Sequence, residues 1–314
     1  FIGATGLVVF NMTSGVLRAF GDSKHPLWFL ILGALLNIVL DIIFIAVLKR
    51  GVRGAAEATV ISQAVAALAT LIFLATRKGL EKMEVKRMAT MNRIILKKML
   101  AIGLPGGIQS VMYNIANIMI QSNVNQLGSS TMAAYTAYSK IDAVFWMIMN
   151  AFGVSVSTFA GQNFGAGKLD RVRKSMKICL GMALGASVGL SVILHFFGRY
   201  VYMLFTTDAQ VIEIGMQILY FLTPIYFTYV TIEVVSGTVR SMGFVFTPML
   251  MTCGGVCVLR LLSLFIAVPQ KRTMTNILLS YPLSFVVTSI LFIIYYIYLN
   301  KTGKIEAARE HSIV

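Results

Sequence analysis

Long apolar runs, broken at short intervals by Gly, Pro or charge, dominate the chain from its first residue. Nine of them reach the ~20 residues that a helix needs to cross a bilayer. They cover 1–17, 26–48, 54–76, 99–121, 133–160, 178–198, 211–235, 244–268 and 275–299. The runs are unbroken rather than alternating, so transmembrane barrel strands are excluded. The pattern predicts an all-α polytopic membrane protein with nine transmembrane helices. The longest break, 77–98, holds eight basic residues against Glu81 and Glu84, and its Leu80, Met83, Met88, Met91 and Ile95 recur at roughly helical spacing. It reads as an amphipathic helix on the inner membrane surface, or equally as a solvated linker.

Composition agrees. The 314 residues are 57% hydrophobic and 12% charged, with a mean hydropathy of +0.80. Soluble domains carry about twice that share of charge, so a water-soluble enzyme is excluded. The net charge of +15 then orients the chain rather than marking a nucleic-acid surface. With alternate loops assigned to opposite sides, nineteen Lys and Arg fall on one side and six on the other, leaving Lys140 and Arg260 inside spans. The basic side is expected to be cytoplasmic, placing the C-terminus inside a plasma (inner) membrane. Cys179, Cys253 and Cys257 lie within apolar runs and read as core thiols. His25, His195 and His311 are scattered, so no metal site and no cofactor are expected.

A repeat organises the chain. Ser14, Gly15, Arg18, Gly21, Pro26, Gly33 and Leu40 recur as Ser236, Gly237, Arg240, Gly243, Pro248, Gly255 and Leu262, all at one offset of 222. Most are Gly, Pro or Arg at a helix–loop–helix junction, where backbone geometry narrows the choice. The offset spans six segments, an even number, so the copies run parallel about an axis along the membrane normal. Two pseudo-symmetric six-helix lobes, twelve helices in all, are therefore expected. Residues 1–78 would be the last three helices of the N-lobe, 79–98 a basic cytoplasmic linker, 99–300 a complete six-helix C-lobe, and 301–314 a cytoplasmic tail. Three further helices, about 120 residues, would precede Phe1. Two equivalent lobes suit an alternating-access transporter, and no channel filter motif is visible.

Ionisable residues inside spans are functional candidates by default. Asp41, Asp142 and Glu233 sit well inside apolar stretches. Glu233 is the leading candidate for exchanging a proton or coordinating Na+, with Pro224 nine residues earlier expected to loosen its helix. Asp142 is a second possible Na+ ligand, or polar glue toward the span at 99–121. Asp41 has Asn37 one turn before it on the same face. Asn11 is the neutral repeat mate of Glu233. Arg260 most simply neutralises one of the acids, and pairing of Glu233 with Arg240 or Arg260 is the structural alternative. Gln109, Tyr113, Asn117 and Gln121, about one turn apart, give the span at 99–121 a polar stripe, as of a helix facing a wet cavity, and Asn114 adds to the polar groups of that span toward which Asp142 could bond.

The motifs Ser14-Gly-Val-Leu-Arg-Ala-Phe-Gly-Asp-Ser-Lys-His-Pro26, Asn37-Ile-Val-Leu-Asp41, Gly103-Leu-Pro-Gly-Gly-Ile-Gln109 and Gly161-Gln-Asn-Phe-Gly-Ala-Gly167 resemble the MATE (multidrug and toxic compound extrusion) family from end to end. The resemblance implies twelve helices in two lobes and a Na+- or H+-coupled antiporter that expels amphipathic cationic drugs, monomeric at full length and with no nucleic-acid partner. It also implies that Asp142 and Glu233 match family acids of the eighth and tenth helices. The span at 99–121 departs from the family pattern in having no acid. A flippase or exporter of lipid-linked or polysaccharide precursors is the alternative, for which a cavity richer in Arg and Lys is expected.

Overall fold

The computed structural model describes residues 2–76, 93–270 and 272–313. All regular elements among them are helical. In chain order, α1 is Ile2–Ala19, α2 Lys24–Asp41, α3 Gly51–Thr76, α4 Arg93–Asn125, α5 Ser129–Gly165, α6 Leu169–Met203, α7 Ala209–Leu222, α8 Tyr226–Ser241, α9 Phe246–Thr252, α10 Leu259–Gln270, α11 Met274–Leu278, α12 Ser280–Lys301 and α13 Lys304–Ile313. Wider, π-helical turns continue α2 through Ile42–Val47 and join α9 to α10 through Cys253–Val258.

Eight of the expected spans are present among the described residues as helices long and apolar enough to cross a membrane: Lys24–Val47, Gly51–Thr76, Arg93–Asn125, Ser129–Gly165, Leu169–Met203, Ala209–Ser241, Phe246–Ile266 and Met274–Lys301. The ninth, α1, is a helix of 18 residues but is not among the eight. Asn11, Thr13, Ser14 and Arg18 interrupt its second half. Most of the predicted linker, 79–92, lies outside the described residues. Arg93 already opens α4, so the end of that stretch is helix continuous with the next span.

The chain divides into two compact units, Phe1–Arg93 and Ile94–Val314. In the first, α1 and α2 both pack on α3. Of α2, Pro26 and Gly33 are buried, while Leu27, Trp28, Leu30, Leu35 and Ile38 are exposed. A helix apolar on all sides suits lipid, not water. In the second unit, α8 is the central helix, packed against α5, α6 and α12.

The repeat is visible in backbone detail. Gly21 and Gly243 both take positive φ, 81° and 93°, a region open to glycine and costly to other residues. Gly21 N–H donates to the Arg18 carbonyl and Asp22 N–H to that of Leu17. Gly243 N–H donates to Arg240 and Phe244 N–H to Val239, the same two bonds at an offset of 222. These are helix-terminating bonds of the Schellman type. Gly33 approaches Ala66 on α3, and Gly255 approaches Thr288 on α12, again 222 residues apart at both ends. The correspondence stops at the π-helical segments, which do not fall at equivalent positions.

Candidate functional site

Pro224 sets the local geometry. It has no N–H to donate and its ring crowds the preceding turn. The span 209–241 accordingly breaks into α7, a single 3₁₀ turn at Thr223–Ile225, and α8. Ser191 of α6 donates to the Thr223 carbonyl at 2.6 Å, supplying a partner at the break, as membrane helices require. The restart sets Tyr226, Tyr229 and Glu233 on α8, with the last two one turn apart.

On α5, Tyr138, Asp142 and Trp146 are spaced by four and share a face. Asp142 Oδ1 accepts from Tyr138 Oη at 3.1 Å and from Tyr226 Oη of α8 at 2.6 Å. Its Oδ2 accepts from Trp146 Nε1 at 2.7 Å. Glu233 Oε2 accepts from Tyr229 Oη at 3.1 Å. Ring contacts tie the two helices: Phe145 stacks on Tyr226 with centroids 4.0 Å apart, and Trp146 meets Tyr229 edge-on at 4.6 Å.

These groups wall a cavity of about 550 Å³, within the size range of small-molecule sites. Helix α4 lines it with Tyr113, Asn117 and Gln121. Arg260 of α10 and Tyr281 of α12 complete it. Two carboxylates amid tyrosines and a tryptophan form a lining suited to a desolvated cation, which gains from both charge and ring faces.

Of the residues expected from sequence, Glu233, Asp142, Asn117 and Arg260 come together on this cavity. Gln109 and Asn114 are not among its lining residues. Gln109 accepts from Arg240 Nη2, and Asn114 turns to the Ser110 carbonyl at 2.8 Å. Two expected contacts are replaced. Asp142 bonds to α8 and to its own helix rather than to α4, because the Tyr226 hydroxyl reaches it first. Among the described residues no ion pair joins Arg240 or Arg260 to Glu233 or Asp142. The Arg260 guanidinium instead lies over the Tyr281 ring, 4.2 Å from its centroid. Asp41 and Asn11 belong to the first unit. Asn11 is exposed, and Asp41 Oδ1 and Asn37 Nδ2 are buried without hydrogen-bond partners. Asn37 lines a separate cavity of about 210 Å³ with Ser62 and Gln63.

The sequence reading missed the aromatic donors Tyr138, Trp146, Tyr226 and Tyr229, although the spacing Tyr138–Asp142–Trp146 and Tyr229–Glu233 was available to find three of them. Among the described residues no group of three or more His, Cys, Asp or Glu could hold a metal ion.

The family model described as MatE matches residues 105–266, just over half of the chain. "Probable multidrug resistance protein YpnP" of Bacillus subtilis is 31% identical over 244 residues, covering 77% of this chain and 54% of the relative. "Probable multidrug resistance protein YoeA" of the same organism is 28% identical over 298 residues, covering 92% and 64%. The chain thus spans roughly half to two thirds of the length of these curated relatives. Among solved structures, a MATE crystal structure in complex with MaL6 aligns with a TM-score of 0.88 at 22% identity, covering 98% of this chain and 68% of that one. A MOP superfamily transporter from Pyrococcus furiosus aligns with a TM-score of 0.87 at 22% identity, over the same shares. These structures match in fold, the relatives match in sequence, and the family model covers the cavity-lining residues from Tyr113 to Arg260: the chain belongs to the MATE family.

Proposed function

We propose that this multi-pass membrane protein is a secondary antiporter that exports amphipathic organic cations in exchange for Na+ or H+, by alternating access. One observation carries the reading. Glu233 faces an aromatic cavity and, among the described residues, takes a single hydrogen bond, from Tyr229. A carboxylate so lightly held can exchange its ligand, proton or sodium ion, at small cost. Asp142, held by three donors, is the fixed carboxyl group on the same cavity. The names of the Bacillus subtilis relatives, probable multidrug resistance proteins, support drug-like cargo. The distribution of Lys and Arg supports a plasma-membrane orientation with the C-terminus cytoplasmic. No cofactor beyond the coupling ion is needed, and the working unit is a monomer. A precursor flippase is disfavoured, since Arg260 is the sole cation among the residues lining the cavity.

The test is transport of a fluorescent organic cation into inside-out vesicles. Sodium is varied at fixed pH, then pH at fixed sodium. One gradient should drive accumulation, and Glu233→Gln should abolish that response while leaving the protein inserted in the membrane. Accumulation in Glu233→Gln that still follows the gradient would remove Glu233 from the site.

A further inference from the structure

Among the described residues, Arg260 is the largest of the fully buried side chains, at 1% exposure. A guanidinium removed from water is costly unless paired. Among the described residues no carboxylate lies within ion-pair distance of it. Its hydrogen bond is one long contact, Nη2 to Ser284 Oγ at 3.4 Å, and its buried Nε has no partner. The rings of Tyr281 and Phe285, at 4.2 and 5.3 Å, hold the plane in place without filling its donors.

The acids nearby are occupied elsewhere. Both oxygens of Asp142 take hydrogen bonds from Tyr138, Tyr226 and Trp146, and Glu233 takes one from Tyr229. Nor does the three-helix arrangement call for a charge here. The position equivalent to Arg260 in the first unit, 222 residues earlier, is Ile38. The cavity wall therefore carries a buried charge with no carboxylate at ion-pair distance among the described residues and a donor left open.

We propose that Arg260 is an anion anchor inside the export cavity, the residue that selects for a carboxylate beside a substrate's cationic group. This rests on the export function proposed above. The amine of such a zwitterion meets Glu233 and the aromatic rings. Its carboxylate takes the guanidinium's open donors, a charge-assisted bond of the stronger kind. No covalent step is involved.

The test compares one cationic xanthene dye as its methyl ester and as its free carboxylic acid, which differ only in the anionic group. Export of both is followed in cells expressing the protein from its gene, with Arg260→Met and Arg260→Lys alongside. The native protein should export both forms. Arg260→Met should lower the acid-to-ester ratio of export by about ten-fold or more, the size expected for a lost hydrogen bond to a charged group, through KM for the acid. Arg260→Lys should recover part of that ratio. A ratio unchanged in Arg260→Met, or export of the ester but not the acid by the native protein, would overturn the anchor while leaving cation export standing. Failure of the native protein to export the ester would overturn the export reading, and the anchor with it.

Discussion

Gly153 of α5 leaves open the space that the carboxylate of Glu233 on α8 occupies. A Cβ at position 153 would overlap Glu233 Oε1 and lie 3.0 Å from its Cδ. The obstacle is the far end of a flexible side chain, so the helices need not part; the carboxylate must move instead. Alanine also gains roughly 0.5–1 kcal/mol over glycine within a helix. Gly153→Ala is therefore expected to fold and insert normally, with an unchanged or slightly raised melting temperature. Its ion-driven export should fall by about ten-fold or more, because a misplacement near 1 Å is enough to do so. Solubilised melting temperature and vesicle transport, measured side by side, check the two halves.

The two cavity acids should respond differently when neutralised. Asp142→Asn presents an NH₂ group to a site built from three donors. The amide oxygen can stay on Trp146 Nε1–H while the NH₂ faces the two tyrosines, whose hydroxyls rotate to accept and lose their own acceptor. Tyr138 can turn its O–H to Tyr226, 3.1 Å away, but the Tyr226 O–H is stranded. One buried donor is then left unmatched, at a cost of about 1–3 kcal/mol. Glu233→Gln faces only the Tyr229 hydroxyl, which adapts. The melting temperature should drop by several degrees in Asp142→Asn and stay near native in Glu233→Gln. Equal drops would mean that Glu233 is held as firmly as Asp142.

The sequence made the helices and the repeat legible because both rest on local rules: apolar length, Pro224 at a break, and glycines where φ is positive. It also brought Glu233, Asp142, Asn117 and Arg260 into one group, since polar residues in apolar spans converge on whatever interior exists. The partners were not legible. Tyr226 reaches Asp142 from 84 positions away, and only the rotational setting of α8 after the Pro224 break decides that. The same setting lets Arg240 claim Gln109. Arg260 was expected to seek an acid and lies instead on Tyr281, a cation–π choice that charge counting overlooks. Asn114, offered by its position as a partner for Asp142, instead donates to the Ser110 carbonyl of its own helix.

Gly254 and Gly255 are adjacent and should behave unlike each other. Nothing lies within 4 Å of a Cβ at 254. At 255 it would meet Thr288, whose Cβ and Cγ2 lie 3.0 and 3.2 Å away. Thr288 is fully buried and its hydroxyl donates to the Ser284 carbonyl, so turning it away from a new methyl group would break that bond. Gly255→Ala should destabilise by roughly 1–3 kcal/mol, as overpacking does. Gly254→Ala should change little. The first unit indicates the remedy, for Gly33 there faces Ala66. Adding Thr288→Ala to Gly255→Ala should recover much of the loss, read as melting temperature across the three variants.

The cavity carries its own optical probe. The chain has two tryptophans: Trp28, at 65% exposure on α2, and Trp146, on the cavity wall against Tyr229 and hydrogen-bonded to Asp142. In a Trp28→Phe background the remaining emission reports on the cavity alone. Titration with a non-fluorescent organic cation such as tetraphenylphosphonium should quench or shift it saturably, because the cation binds against the indole and its neighbouring rings. Glu233→Gln should weaken that titration, since it removes a charge from the same wall. Trp146→Phe deletes one of the three donors to the Asp142 carboxyl group, a loss of about 1 kcal/mol or more, and should lower the melting temperature accordingly. A saturable signal that persists with Trp28 alone would place the cation elsewhere and would remove the aromatic wall of the second unit from substrate binding.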